Sequence, residues 1–403
     1  MLTTRLSFMM FLQFFIWGGW YVTLGTFLGN LGASGVQIGQ AFSTQSWGAI
    51  IAPFIIGLIA DRYFNAERIL AVLHILGGVL MYMMANASGF GSFYPYVLAY
   101  MILYMPTLAL VNSVSFRQMT DTAKQFPFIR VFGTIGWIAA VNLISLFGWD
   151  SSLGIEQGQL KNTFLMCSIA SFMLGLFSLT LPKTPPQAAN KEKMSISELL
   201  GLDALKLLRD KNFLIFFISS VLICIPLAFY YQNLSPFLTE YKVANSSSWT
   251  SAGQVSEVLF MLLLPFFFKK FGFKNTILFG MLAWALRYAL FSFGDGGDLF
   301  FMLVIGIVLH GICYDFFFVS GQIYTDSKAG EQYKSAAQGL ITLATYGVGM
   351  LIGFWAAGEI TDAYVIGEGH NWQSIWIIPA VFSTAVFILF MLTFKNESVE
   401  YDN

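Results

Sequence analysis

The stretch FLIFFISSVLICIPLAFYYQNLSPFL, residues Phe213–Leu238, contains no Asp, Glu, Lys or Arg. An α-helix needs about 20 predominantly apolar residues to cross the hydrocarbon core of a bilayer. This stretch therefore predicts a membrane-spanning helix, and eleven similar runs elsewhere bring the predicted total to twelve. The twelve predicted spans are roughly Leu6–Leu28, Ile38–Ala60, Ile69–Ala87, Phe93–Val114, Phe128–Phe147, Phe164–Leu181, Phe213–Leu238, Trp249–Phe268, Thr276–Phe293, Leu299–Tyr324, Ala336–Ala357 and Trp372–Phe394.

The composition excludes most soluble classes of protein. Of the 403 residues, 57% are hydrophobic and 11% are charged, whereas soluble domains have about 45–50% apolar and about 25% charged residues. Such a chain has too few charges to cover the surface of a soluble, multidomain enzyme. The formal net charge of −1 provides no basic excess for a nucleic-acid partner. We therefore expect an all-α polytopic membrane protein in contact with the lipid bilayer.

The longest polar stretch, Pro182–Asn212, separates six predicted spans from six others. Within it, Ser197–Leu208 alternates apolar and polar residues at helical spacing, which predicts a short amphipathic helix on the membrane surface. We interpret this stretch as a domain boundary. The predicted parts are an N-terminal six-helix bundle over residues 1–182, a cytoplasmic linker over 183–211 and a C-terminal six-helix bundle over 212–403.

The basic residues indicate the orientation. If both termini are cytoplasmic, all of the 21 Lys and Arg residues except Lys161, Lys242 and Arg287 lie on the cytoplasmic side or at helix ends facing it. Cytoplasmic loops are enriched in Lys and Arg, so we expect both termini inside. The first apolar run is longer than a signal-peptide core and shows no small-residue cleavage site, so we expect it to remain as the first helix.

Glu257 is one of the few ionisable residues inside the predicted spans. Such residues are costly to bury and usually face a cavity or a partner. Gln254 lies three positions earlier, on the same helical face. Burial favours the protonated form of a carboxyl group and brings proton exchange into the physiological range. We interpret Glu257 as a proton-coupling residue with Gln254 on the same face; a structural carboxylate in a fixed hydrogen bond is the alternative.

Asp315 lies inside the tenth predicted span, beside Tyr314 and after His310. Neither neighbour can fully neutralise a carboxylate, so Asp315 should seek a partner or titrate. We interpret Asp315 as a residue for proton coupling or for substrate binding, with Tyr314 adjacent to it. His310 alone is as readily explained by hydrogen-bonded packing.

Arg130, Thr134 and Trp137 share one face of the fifth predicted span. A guanidinium, a hydroxyl and an indole together suit a flat polar ligand, although an arginine that snorkels to the inner surface is the alternative. Arg287, in contrast, should lie towards the outer end of its span, near Asp295 and Asp298. Snorkelling or a structural salt bridge explains that arginine.

The seventh span carries phenols and amides where lipid-facing positions should be apolar. We expect the cluster Phe229–Asn233, which includes Tyr231 and Gln232, to face a ligand; the alternative is a structural kink caused by Pro226 and Pro236. The three cysteines and three histidines are scattered, so neither a disulfide framework nor a metal site is expected.

The loop after the second span reads GLIADRYFNAER, residues Gly57–Arg68. An aspartate at a helix end beside arginines can join neighbouring helices through charge-assisted bonds. Such bonds must break when the helices part, so we interpret Asp61, Arg62 and Arg68 as a gating latch.

This GxxADRxFxxxR pattern resembles the loop signature of the major facilitator superfamily. Further motifs resemble the nucleoside:proton symporter family within it, close to a branch of nucleoside transporters from Gram-negative bacteria. These motifs occur in order along the chain as YMPTLALVNS (Tyr104–Ser113), FPFIRVFGTIGW (Phe126–Trp137), LLGLDAL (Leu199–Leu205), QVSE (Gln254–Glu257), YDFFFVSG (Tyr314–Gly321) and SAAQG (Ser335–Gly339).

The resemblance implies two six-helix bundles around a central cavity and binding roles for Arg130, Thr134, Gln254, Glu257, Tyr314 and Asp315. Trp137 stands where the family has a phenylalanine. On the seventh span, Ala228 and Tyr231 occupy the positions of a family glutamine and asparagine.

We therefore expect a monomeric importer in the bacterial inner membrane. Its partners would be a nucleoside and a proton, without a cofactor or enzymatic activity. A proton-coupled transporter of a sugar or sugar derivative and a passive nucleoside uniporter remain as alternatives.

Overall fold

A computed structural model describes residues 2–55, 63–119, 122–186 and 202–397. The regular structure of these residues is helical except for one antiparallel hairpin of Val365–Ile366 and Gly369–His370. The helices are α1 (Leu2–Tyr21), α2 (Leu24–Asn30), α3 (Gly35–Ile55), α4 (Ala66–Ala85), α5 (Phe90–Arg117), α6 (Thr122–Leu146), α7 (Ser152–Glu156), α8 (Lys161–Ser178), α9 (Lys211–Glu240), α10 (Ser246–Phe293), α11 (Phe300–Val308), α12 (His310–Tyr314), α13 (Ser320–Thr342), α14 (Met350–Ala363) and α15 (Trp372–Thr393).

Each of the twelve predicted spans overlaps a helix of the structure. Nine helices within the described ranges are long and apolar enough to cross a membrane. One of them, α10, contains two predicted spans and bends at Gly272, whose φ is +73°. A positive φ is accessible to glycine at little cost, so this residue permits the sharp change of direction.

The tenth span departs from a regular α-helix. Its chain passes through α11 and α12 into a π-helical turn, Asp315–Val319. A second π-helical turn, Leu343–Gly349, interrupts the eleventh span. Residues 325–335, between the tenth and eleventh predicted spans, are part of the helix α13. Their Ala, Glu, Gln and Lys residues favour helix and no proline interrupts them.

The chain divides into two compact units. The first comprises Met1–Met194 with Ala244–Ser251, and the second Ser195–Val243 with Ala252–Asn403. In the first unit, α1 packs on α6 so closely that a Cβ at Gly136 would lie 2.1 Å from the carbonyl oxygen of Phe11. Small residues allow membrane helices to approach in this way, which strengthens van der Waals packing where lipid provides no hydrophobic driving force.

In the second unit, α9 and α14 also pack closely at a glycine. A Cβ at Gly353 would lie 2.6 Å from both the carbonyl oxygen of Ile225 and the Cβ of Ala228. Towards the other end of α9, the aromatic rings of Phe237, Phe291, Trp372 and Trp376 form a buried cluster. These contacts fix α9 against three neighbouring helical segments.

Part of the predicted amphipathic segment, residues 197–201, lies outside the described residues. Its remainder belongs to a 3₁₀-helix, Leu202–Arg209, rather than an α-helix. Ala204 is buried against Ala329, Ala337 and Leu340 of α13. Asp210 then caps α9 by accepting the N–H of Phe213 at 2.9 Å. This hydrogen bond, aided by the ammonium of Lys328, lowers the pKa of the Asp210 carboxyl below its ordinary value.

The start of α10 is fixed by Asp150, a buried residue in the loop after α6. Its Oδ2 atom accepts the N–H of Ser247 at 2.8 Å and the hydroxyl of Ser145 at 2.7 Å. The oxygen of that hydroxyl accepts the N–H of Ser248 at 3.0 Å. A carboxylate at a helix N-terminus satisfies free N–H groups and opposes the positive end of the helix dipole.

Replacing Asp150 should therefore destabilise the protein. Asp150→Ala leaves a buried N–H without its acceptor, so we expect a loss of about 1–2 kcal/mol in the free energy of unfolding. Thermal melting of the purified protein in detergent would show a lower Tm. Asp298→Ala, which removes an exposed carboxylate, should leave Tm unchanged; equal melting of both variants would contradict the capping role.

Candidate functional site

In the first unit, Arg130 of α6 is half-buried and lies against α1. Its guanidinium carbon is 4.1 Å from the centroid of the Phe14 ring, a cation–π distance. A guanidinium offers several N–H donors in a fixed plane. The stacking contact therefore orients a group that can hydrogen-bond a polar ligand.

Trp137 also packs on α1, seven residues further along α6. Its ring lies 6.0 Å from that of Trp17, and a Cβ at Gly18 would come within 2.7 Å of the indole. The glycine therefore makes room for the indole. Thr134, between Arg130 and Trp137, is half-buried.

A buried polar network beside these residues was not identified from the sequence. His74 Nε2 lies 2.9 Å from Gln13 Oε1, while Gln13 Nε2 donates to Thr107 Oγ1 at 2.7 Å. Tyr104 donates its hydroxyl proton to the Gln13 carbonyl at 2.6 Å. This network joins α1, α4 and α5. The amide of Gln13 in the otherwise apolar first span was the sequence feature that could have indicated this network.

The predicted latch is described only at Arg68. Asp61 and Arg62 lie outside the described residues, and Arg68 is exposed near the start of α4. The neighbouring Glu67, which the sequence analysis did not select, is buried and accepts the N–H of Thr184 at 2.8 Å. Glu67 thus joins the start of α4 to the segment after α8.

In the second unit, Gln254 and Glu257 are half-buried on α10, beside α12. Gly311 brings these helices together, because a Cβ there would lie 2.5 Å from the carbonyl oxygen of Ser256. The Gly311 N–H also donates to Ser256 Oγ at 3.0 Å. This close approach places His310 Nε2 3.9 Å from Glu257 Oε2.

Asp315 begins the π-helical turn after α12 and has no exposed surface. Neither carboxylate oxygen has a hydrogen-bond partner among the residues that the structure describes. Asp315 and Glu257 are close enough to interact electrostatically. Single π-helical turns occur frequently at functional sites because they re-aim side chains within a helix.

Tyr314 contacts a residue that the sequence analysis missed. Its hydroxyl lies 2.6 Å from that of Tyr346, which belongs to the second π-helical turn. The two irregular turns are therefore joined through a pair of phenols. The TYGVG sequence around Tyr346 gave only a weak signal, a phenol between glycines in an apolar span.

On α9, Gln232 is buried and Tyr231 is half-buried. Asn233 pairs with Thr361 of α14, with the amide nitrogen 3.1 Å from the hydroxyl. Pro226 and Pro236 both lie within the continuous helix. Ala228 is buried with its Cβ against Gly353, so this position serves helix packing.

The expectation for Arg287 was wrong. Its side chain is fully buried, with the guanidinium carbon 3.4 Å from the centroid of the Tyr230 ring and Nη1 3.3 Å from His310 Nδ1. Asp295, one of its expected partners, instead accepts the N–H groups of Gly297 and Leu299 in a local turn. The helix directs Arg287 inward, towards α9 and α12.

The described residues contain no group of three or more His, Cys, Asp or Glu side chains that could hold a metal ion. Cys167, Cys224 and Cys313 are buried free thiols.

Comparison with known proteins places the chain in a family. Residues 1–399 match the family described as nucleoside H⁺ symporter. The chain belongs to the nucleoside H⁺ symporter family. The fold class and the proton-coupled nucleoside transport expected from the sequence are thereby confirmed.

The similarity to several relatives of this symporter extends over almost the whole length of both chains. YegT of Escherichia coli (strain K12), a protein named for nucleoside transport, is 43% identical over 99% of this chain and 95% of its own. Xanthosine permease of the same organism is 34% identical over 97% of this chain and 95% of its own. The crystal structure of the nucleoside transporter NupG superposes with a TM-score of 0.87 at 32% identity, covering 98% of this chain and 100% of NupG.

The close contact at Gly311 of the symporter can be tested directly. Gly311→Ala places a methyl group against backbone atoms of Ser256 and Glu257, so α10 and α12 must separate. Overpacking of this kind costs about 1–3 kcal/mol, and we expect a lower Tm in detergent together with reduced nucleoside uptake. The matched control is Gly339→Ala, where an added Cβ meets nothing within 4 Å. If both variants behave like the wild type, Gly311 does not position Glu257.

Proposed function

We propose that Glu257 and Asp315 are the groups through which this symporter couples nucleoside import to protons. The observation that carries the proposal is the burial of Asp315, with no hydrogen-bond partner on either oxygen among the described residues, close to a second carboxylate. An unpaired carboxylate buried in a medium of low dielectric constant is stabilised by taking up a proton.

The two acids also limit each other. Like charges at short range disfavour double ionisation, and Asp315 begins the turn that follows His310, whose Nε2 lies 3.9 Å from Glu257 Oε2. One proton is therefore shared between two acids in different environments. Nucleoside binding or a change of access to water can move that proton on or off the pair.

We assign nucleoside recognition to side chains with matching chemistry. Arg130, Thr134 and Gln254 provide hydrogen-bonding groups for a base or a ribose. Trp137 and the phenols of Tyr231 and Tyr314 provide surfaces and hydroxyls for a flat, polar ligand, and Gln232 adds an amide on α9. A nucleoside offers both a π-face and several hydroxyls, and these groups suit both parts.

The proposed cycle follows alternating access. A proton from outside binds to the acid pair, and a nucleoside then binds. The binding site next closes to the outside and opens to the cytoplasm, where the nucleoside and the proton leave. We further propose a monomer with both termini in the cytoplasm and, from the sequence pattern alone, an inner gate at Asp61, Arg62 and Arg68. The protein is a transporter without a catalytic step of its own.

Coupling is tested in liposomes loaded with purified protein. The wild type should concentrate labelled uridine only under an inward proton gradient. Glu257→Gln and Asp315→Asn should abolish concentration yet retain uridine exchange, because each amide preserves shape while removing the titrating group. Glu359→Gln, which alters an exposed residue of α14, is the control. Normal concentration by both acid variants would refute the assignment.

Recognition of the base is tested at Trp137. Loss of an aromatic platform costs about 1–3 kcal/mol per stacked base, so Trp137→Ala should weaken uridine binding by roughly 5-fold or more. Trp137→Phe should bind nearly as well as the wild type. Isothermal titration in detergent gives both affinities; unchanged affinity in Trp137→Ala would exclude stacking.

A sugar or sugar derivative is the second candidate substrate, because Ala228 occupies a position where the family has an amide. Its burial against Gly353 removes a polar contact from α9. Competition against labelled uridine by xanthosine, other nucleosides, bases and free sugars separates the candidates. We expect nucleosides to compete and free sugars to have no effect.

A further inference from the structure

We infer that Arg287, acting through His310, positions and electrostatically balances Glu257, so that the two residues form a buried relay behind the coupling acids. The inference rests on the proposed coupling role of Glu257. It assigns Arg287 and His310 as positioning residues, since both act through another side chain.

The relay is defined by two contacts in the second unit. Arg287 Nη1 lies 3.3 Å from His310 Nδ1, and His310 Nε2 lies 3.9 Å from Glu257 Oε2. Arg287 is fully buried and His310 is 3% exposed. The Glu257 side chain is 15% exposed. The chain of groups thus runs from the protein interior to the more accessible carboxylate.

The chemistry of the guanidinium gives the relay a direction. A guanidinium can donate hydrogen bonds and cannot accept them, so His310 Nδ1 must be the acceptor. A neutral imidazole that accepts at Nδ1 carries its proton on Nε2. Arg287 therefore fixes the tautomer in which the Nε2–H group is directed at Glu257. The separation of 3.9 Å exceeds a hydrogen bond, so the contact is electrostatic in this conformation.

Packing holds the relay in place from two sides. Tyr230 of α9 lies under the Arg287 guanidinium at 3.4 Å, and its ring stacks on His310 with centroids 5.4 Å apart and planes at 18°. On the other side, a Cβ at Gly253 of α10 would lie 3.1 Å from the His310 Cβ. The imidazole is therefore clamped between α9 and α10, which restricts its rotation.

The relay also sets the charge balance around the coupling acids. Arg287 supplies one permanent positive charge, while Glu257 and Asp315 can carry two negative charges. One ionised acid balances the guanidinium, and the other acid needs a proton. Among the described residues, the titratable and charged groups that face the relay are Tyr230 from α9, Glu257, Arg287 and Tyr288 from α10, Cys313 and Tyr314 from α12, and Asp315.

Removal of the cation should change the pH dependence of transport. In Arg287→Met the relay loses its charge while the side chain keeps much of its length, and the protonated form of the acids is favoured. We expect the alkaline limb of the uridine-uptake profile in liposomes to move to higher pH by about one unit. Maximal uptake should also fall several-fold, because protons are released less readily inside.

Two matched variants separate this effect from general damage. Arg287→Lys retains the charge and a donor and should restore much of the wild-type profile. Lys269→Met removes an exposed cation from α10 and should leave the profile unchanged. Titration with uridine in detergent reports folding and binding, which Arg287→Met should largely retain. An Arg287→Met profile that coincides with that of Lys269→Met would overturn the inference.

His310 provides a second route if Arg287→Met fails to fold. His310→Gln keeps an N–H donor near the position of Nε2, whereas His310→Phe keeps only the ring. The phenylalanine variant should shift the profile upward and the glutamine variant should shift it less; equal profiles would overturn the relay. If the wild type itself shows no proton-dependent uptake, the proposed function fails. If the wild type shows proton-dependent uptake but the Arg287 and His310 variants have its pH profile, only the relay is refuted.

Discussion

The cost of burying charge in a medium of low dielectric constant is the constraint on which the second unit depends. Asp315 and Arg287 have no exposed surface and Glu257 is largely covered. Isolated ions in such surroundings lose several kcal/mol of hydration. Each must therefore be balanced by an opposite charge or by a proton. This requirement connects a single guanidinium, one histidine and two carboxylates into one electrostatic unit, and it makes proton exchange a natural response to any change in their surroundings.

Close helix packing gives this unit its geometry. Gly253 and Gly311 allow α10 and the short helix α12 to approach until backbone meets backbone, which brings His310 to Glu257. The π-helical turn at Asp315–Val319 follows directly and directs Asp315 into the interior. Its counterpart at Leu343–Gly349 carries Tyr346, whose hydroxyl meets that of Tyr314. Both π-helical turns of the described residues thus carry a polar side chain of this group.

Much of the fold followed from the sequence because span length and hydropathy are local properties. The twelve predicted spans all overlap helices, and the mid-span acids Glu257 and Asp315 stood out because charge is rare there. The direction in which a side chain points was harder to predict than its place along a span. Arg287 lies within reach of two aspartates along the chain, so a local pairing looked sufficient, but the rotation of its helix points it at Tyr230 and His310. Helix rotation is set by packing between elements distant in sequence, which periodicity alone does not reveal. Gln13 and Tyr346 were missed for the same reason, since their partners lie on other helices.

The most direct test of the account follows protons and nucleoside together. Liposomes containing the purified protein and a trapped pH-sensitive dye are prepared with the same pH inside and outside, and an ionophore for potassium prevents a build-up of charge. If nucleoside and proton move together through the acid pair, added external uridine should acidify the interior, and Asp315→Asn should move uridine without acidification. Uridine entry without any change of internal pH in the wild type would contradict the coupling of nucleoside to protons.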